Sequence, residues 1–196
     1  MNVRKFSSIT PLATLALVFA PVLAHAHPGH DANGFAAGVS HPLHGLDHLL
    51  AMVAVGLWAA QLGGRARWVV PASFVSVMAL GGALGMAGVA LPFAEQGIFA
   101  SVLMLGVLIA AAVRMPLAAS AALVGLFALC HGHAHGLEMP ATATGLTYGA
   151  GFVFATALLH ATGIGAGLLI QHYAQAVWLR ATGVAVGAAS ILLVLN

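Results

Sequence analysis

Six apolar runs, at approximately 41–62, 68–90, 97–114, 116–136, 144–170 and 175–195, leave this chain little choice of solvent. Each is close to the ~20 residues that a helix needs to cross the hydrocarbon of a bilayer. The breaks between them are short and marked by polar residues, Gly or Pro: Gly63-Gly64-Arg65-Ala66-Arg67, Leu91-Pro92-Phe93-Ala94-Glu95-Gln96, Arg114-Met115-Pro116, Glu138-Met139-Pro140 and Gln171-His172-Tyr173. Backbone in lipid must satisfy its own hydrogen bonds, so such runs fold as helices. Only 5% of the 196 residues are charged, against about 25% in a soluble domain. The expected fold is therefore an all-α membrane protein, a bundle of six transmembrane helices. The fifth run is long, which predicts a tilted helix or an irregular start near 142–147.

The N-terminal residues precede this bundle and have a different pattern. Arg4 and Lys5 form a basic start, residues 12–23 an apolar centre, and Ala24-His25-Ala26 a small-x-small cleavage site. Residues 1–26 thus read as a secretory signal peptide, and 27–196 as the membrane domain. Cleavage would leave His27 at the new N-terminus, followed by Pro28, Gly29, His30 and Asp31. An N-terminal amine beside its own imidazole is a metal chelator, with His30 as an additional donor; a solvated polar tail is the alternative. With that end exported, the loops after the first, third and fifth helices face the cytoplasm. They carry Arg65, Arg67, Arg114 and, near the boundary, Arg180, while Glu95 and Glu138 fall on the other side. This is the positive-inside pattern, and it puts the protein in a bacterial inner membrane with both mature termini periplasmic.

Several function classes are excluded by what is missing. Six basic residues are too few for a nucleic-acid surface, and no Gly-x-x-x-x-Gly-Lys-Ser/Thr phosphate loop occurs. The single cysteine, Cys130, rules out an intrachain disulfide. Gly81-x-x-x-Gly85, Gly145-x-x-x-Gly149 and Gly183-x-x-x-Gly187 are small-residue faces that let helices approach closely. Trp58, Trp68 and Trp178 are placed as an aromatic belt near the cytoplasmic ends.

Histidine is the excess residue: 11 copies, more than all Lys and Arg together. Most fall in two clusters. His41-Pro-Leu-His-Gly-Leu-Asp-His48 opens the first apolar run; on one continuous helix His41, His44 and His48 would share an arc of about 60°, with Asp47 beside His44. The fourth run ends in Cys130-His-Gly-His-Ala-His-Gly-Leu-Glu138. There His131, His135 and Glu138 share a face within about 60°, and His133 points nearly opposite. The two clusters belong to helices of opposite direction and so come to the same, outer depth, where they would form one site. Imidazole with carboxylate suits a borderline divalent transition metal. His133 is expected as a loose outward-facing side chain, and Cys130 as a small buried apolar residue rather than a thiolate ligand. His160, deep in the fifth run, is either a functional group or the partner in an interhelical hydrogen bond; with His172 it suggests steps toward the cytoplasm. The second and third runs hold no His, Asp, Glu or Cys and are expected to be scaffold.

The segments His41-Pro42…Asp47-His48…Ala51-Met52 and His131-Gly-x-Ala-His-Gly-x-Glu138 resemble the first- and fourth-helix signatures of the HupE/UreJ nickel permeases. A secretion signal followed by six helices agrees, so the resemblance covers nearly the whole chain. It implies import of Ni(II), the ion being cargo rather than a permanently bound cofactor, for enzymes such as hydrogenase or urease. Downstream nickel metallochaperones are the implied protein partners. The functional positions it carries over are His41, Asp47, His48, His131, His135 and Glu138. Cys130 stands where the family pattern often has an aromatic residue, and His44 and His133 are additional histidines. The resemblance leaves cobalt open beside nickel.

The expectation is thus a secondary metal importer and not an enzyme. An intramembrane zinc-dependent hydrolase is the enzymatic alternative, because His and carboxylate ligands with an open position also describe a catalytic site. Asp47 or Glu138 would supply its acid or base. A haem-binding electron carrier with paired axial histidines is a third class.

Overall fold

The computed structural model describes residues 34–195, all helical apart from short connections. The expected signal, and with it His27 and His30, lies outside the described residues. Helix α1 spans Gly34–His44 and α2 Leu46–Leu62; α3 is Ala66–Met86, α4 Ala94–Ala110, α5 Leu117–Leu137, α6 Gly145–Tyr173 and α7 Ala176–Leu195. Every expected apolar run overlaps one of these helices over most of its length. Four of them, α3, α5, α6 and α7, are long and apolar enough to cross a membrane, and α1 with α2 makes a fifth if the bent pair counts as one span. The 17-residue α4 is shorter, about 26 Å at 1.5 Å per residue.

The first expected helix, 41–62, is not continuous. The chain bends by 86° between α1 and α2, pivoting on Gly45, whose φ of −96° and ψ of 112° are extended rather than helical. Pro42 removes an N–H from the last turn of α1. A side chain at Gly45 would lie 2.9 Å from Asp47 Oδ1 and 3.0 Å from His48 Nδ1, so glycine leaves room for that pair. Of the two alternatives for the long fifth run, a tilted helix or an irregular start, the irregular start is absent: the run opens on a cap. Thr144 accepts from the Thr147 amide, and α6 then runs 29 residues without a break.

Helices pair through glycine seams. α3 lies along α5, where Gly81, Gly82, Gly85, Gly132 and Gly136 bring the backbones into contact. α2 lies along α6 with Gly56 against Gly163, and α4 along α7 with Gly106 against Gly183 and Gly187. Without a hydrophobic drive between helices in lipid, such close packing supplies the attraction. The Gly145-x-x-x-Gly149 face is not a seam of this kind: Gly149 has open space where a side chain would go.

The alternation of helix direction sorts charge. Arg65 and Arg114 line one cavity with Leu62 and Leu117. Nearby, Arg180 Nε donates to the Ala110 carbonyl at 2.7 Å, so an arginine inside a hydrophobic helix finds the unpaired C-terminal oxygen of α4. Asp47, Glu95 and Glu138 lie at the opposite end of the bundle. Trp68 and Trp178 are exposed, but Trp58 is fully buried and its indole donates to the Val113 carbonyl. It is a core residue rather than part of a belt.

Candidate metal site

The carboxylate end of the bundle gathers the histidines. The N-terminus of α2 brings His48, the C-terminus of α5 brings His131 and His135, and α1 brings His41 in from the side. His48 is 8% exposed, His131 0% and His135 2%. The His48 ring centroid lies 4.2 Å from that of His135 and 4.8 Å from that of His131, and His41 is 4.7 Å from His135. Donor atoms of His41, His135 and Glu138 all fall within 4.8 Å of one another. His135 therefore belongs to two overlapping groups. The first is partly exposed, with His41 and Glu138; the second is buried, with His48 and His131.

Hydrogen bonds determine which nitrogens carry lone pairs. A carboxylate only accepts, so His48 Nδ1–H donates to Asp47 Oδ1 at 2.8 Å, and the same oxygen accepts the His48 amide at 2.8 Å. In the neutral ring the His48 lone pair is then on Nε2. Ser101 Oγ donates its one hydrogen to the Ile98 carbonyl at 2.6 Å, so toward His131 Nε2, 2.8 Å away, it is the acceptor. This leaves the His131 lone pair on Nδ1. His48 Nε2, His131 Nδ1 and both nitrogens of His135 are buried and without a hydrogen-bond partner. A buried polar atom left unpaired costs about 1–3 kcal/mol. Orientation through the second nitrogen by a carboxylate or hydroxyl, which leaves the other lone pair free, is also the arrangement in which metal-ligating histidines are held.

The remaining positions separate. Glu138 caps the end of α5, exposed, and accepts from His41 Nε2–H at 2.9 Å. His44 turns away, exposed, its Nδ1–H donating to the Ser40 carbonyl. The helical arc expected for His41, His44 and His48 is lost at the Gly45 bend, and Asp47 pairs with His48 rather than His44. His133 is also not where expected. It is buried, and its Nε2–H donates to the Val89 carbonyl at 2.7 Å, beyond the end of α3. Facing away from the cluster therefore brings His133 to the backbone that follows α3, whereas Leu126 and Leu137 on the same side of α5 are exposed. Cys130 is half-buried, its sulfur filling the space beside Gly97 of α4. His160 is buried and bonded to the Met52 carbonyl; His172 is exposed, against Tyr173.

Helices expected to be scaffold contribute directly. Ser101 of α4 orients His131, and Phe74 of α3 lies 5.7 Å from the His131 ring. From α6, Phe152 packs 4.1 Å from His135 and Tyr148 5.7 Å from His41, its hydroxyl buried without a hydrogen-bond partner. Neither a lone serine nor a phenylalanine among many carries a signal that would mark it in the sequence.

A family model described as "HupE / UreJ protein" matches residues 15–193. "Protein HupE" of Rhizobium leguminosarum bv. viciae is 49% identical over 192 residues, covering 98% of this chain and the whole of that protein. No solved structure matches.

Proposed function

Because the chain belongs to the HupE / UreJ protein family, we propose that it is a secondary transporter importing Ni(II), with Co(II) as the other candidate ion, for hydrogenase or urease maturation. The observation that carries this reading is the set of buried, partnerless imidazole nitrogens on His48, His131 and His135. His41 and Glu138, partly exposed, would capture the hydrated ion, and His135 would pass it from them to His48 and His131. Asp47 would hold the His48 ring rather than supply the first contact. Nickel is cargo here, so no resident cofactor is required. Entry of a dication into a cell held at −100 mV inside gains about 4.6 kcal/mol for its two charges, enough to drive import without an ATPase.

In the full proposal residues 1–26 are a cleaved signal, 27–196 form the permease domain, and α4 completes a six-span bundle by local thinning of the bilayer. The arginine end faces the cytoplasm of a bacterial inner membrane, the histidine end and both mature termini face the periplasm, and cytoplasmic metallochaperones receive the ion.

Uptake of radioactive nickel into whole cells tests the reading. His48→Ala, His131→Ala and His135→Ala should each abolish uptake at unchanged protein level. Wild-type uptake in any of the three would refute a shared site.

A further inference from the structure

One helical turn deeper along α2, a second group of polar and sulfur side chains gathers from α2, α3 and α6. On α2, Met52 follows His48 by four residues; on α6, Thr156 follows Phe152 by four and His160 follows Thr156 by four, so each lies on the face of its predecessor. Thr156 Oγ1 is 3.4 Å from Met52 Sδ and 3.5 Å from Met78 Sδ of α3, gathering two thioethers from different helices around one hydroxyl. Met52, Met78 and Thr156 are fully buried and His160 is 2% exposed. His160 Nδ1 lies 2.7 Å from the Met52 carbonyl oxygen. A carbonyl only accepts, so Nδ1 carries the hydrogen and Nε2 the lone pair. That lone pair has no hydrogen-bond partner. Between the two levels stands Phe74, its ring 5.7 Å from His131 above and 5.0 Å, edge to face, from His160 below.

We propose that His160 Nε2, with the thioether sulfurs of Met52 and Met78, forms a second, deeper station for a transition-metal cation, and that Phe74 is the partition between it and the first histidine cluster. This rests on the transport reading, since an ion reaches these donors through that cluster. Imidazole with thioether selects soft or borderline ions over Mg(II) or Ca(II), giving the path a second filter. Thioethers are weak, uncharged donors, so the ion is held loosely, as a transit site requires. The Met52 carbonyl plays the part that Asp47 plays for His48, orienting the ring through its other nitrogen.

The test uses purified full-length protein with Ni(II) alone, and nickel uptake by cells. Met78→Cys in a Cys130→Ser background places a thiolate at this level, and Ni(II) should then give a thiolate-to-metal charge-transfer band that disappears when His160→Ala is added. His160→Gln keeps an N–H for the Met52 carbonyl and so preserves packing, yet should slow uptake about ten-fold or more. No band in Met78→Cys, together with wild-type uptake in His160→Gln, would overturn the deeper station and leave the importer reading intact. A band in a protein whose wild-type form takes up no nickel would establish the deeper site and sink transport instead.

Discussion

Asp47→Asn separates a carboxylate that orients a ligand from one that is a ligand. Asp47 Oδ1 accepts both the His48 amide and His48 Nδ1–H, each at 2.8 Å. Asparagine keeps an oxygen in the same place but loses the charge that holds the ring in one tautomer and raises its basicity. Loss of such an orienting partner typically costs 10–100-fold in metal affinity, about 1.4–2.7 kcal/mol. The Asp47 side chain is 41% exposed, so water replaces part of what is lost, and the lower end of that range applies: about ten-fold. The assay is the concentration dependence of nickel uptake, in which half-saturation should rise by that factor while the maximal rate falls less. On a His48→Ala background the same change should add nothing, because the carboxylate acts through the ring. An unchanged half-saturation would show that Asp47 does not orient His48. A loss as complete as that of His48→Ala would make Asp47 a direct ligand and refute the tautomer argument.

Three further outcomes are expected. A reporter fused after Arg67 should behave as cytoplasmic and one fused after Glu95 as periplasmic; the reverse would invert the bundle. Excess Co(II) should compete with nickel uptake and Mg(II) should not, since magnesium prefers oxygen ligands and keeps its water; strong magnesium competition would contradict an imidazole site. Gly132→Ala drives a methyl into the Met78 carbonyl and against Gly82 across the α3–α5 seam. Overpacking of this kind costs about 1–3 kcal/mol, so the variant should lose folded protein in a thermal-melt assay, whereas Gly149→Ala, with open space, should match the wild type.

Apolar run length, with so few charges, determined by itself that the chain is helical and suited to lipid, because every unpaired backbone group in hydrocarbon must be satisfied within its own segment. The two histidine motifs were equally plain: titratable side chains at the mouths of apolar runs are costly, so their presence in number marks a candidate site. The helical wheel also placed His131, His135 and Glu138 on one side of α5, since that helix is unbroken. It failed at Gly45, where an 86° bend ends the continuous rotation on which the arc of His41, His44 and His48 depended. It failed again at His133, because facing away from one cluster says nothing about what lies there, and the chain leaving α3 was there. The lone pairs of His48, His131 and His160 depend on Asp47, Ser101 and the Met52 carbonyl. Asp47 adjoins its histidine, but Ser101 and Met52 come from other helices. Only tertiary packing brings those oxygens within hydrogen-bond reach, and Phe74 gains a role only because α3 crosses between two levels of imidazole.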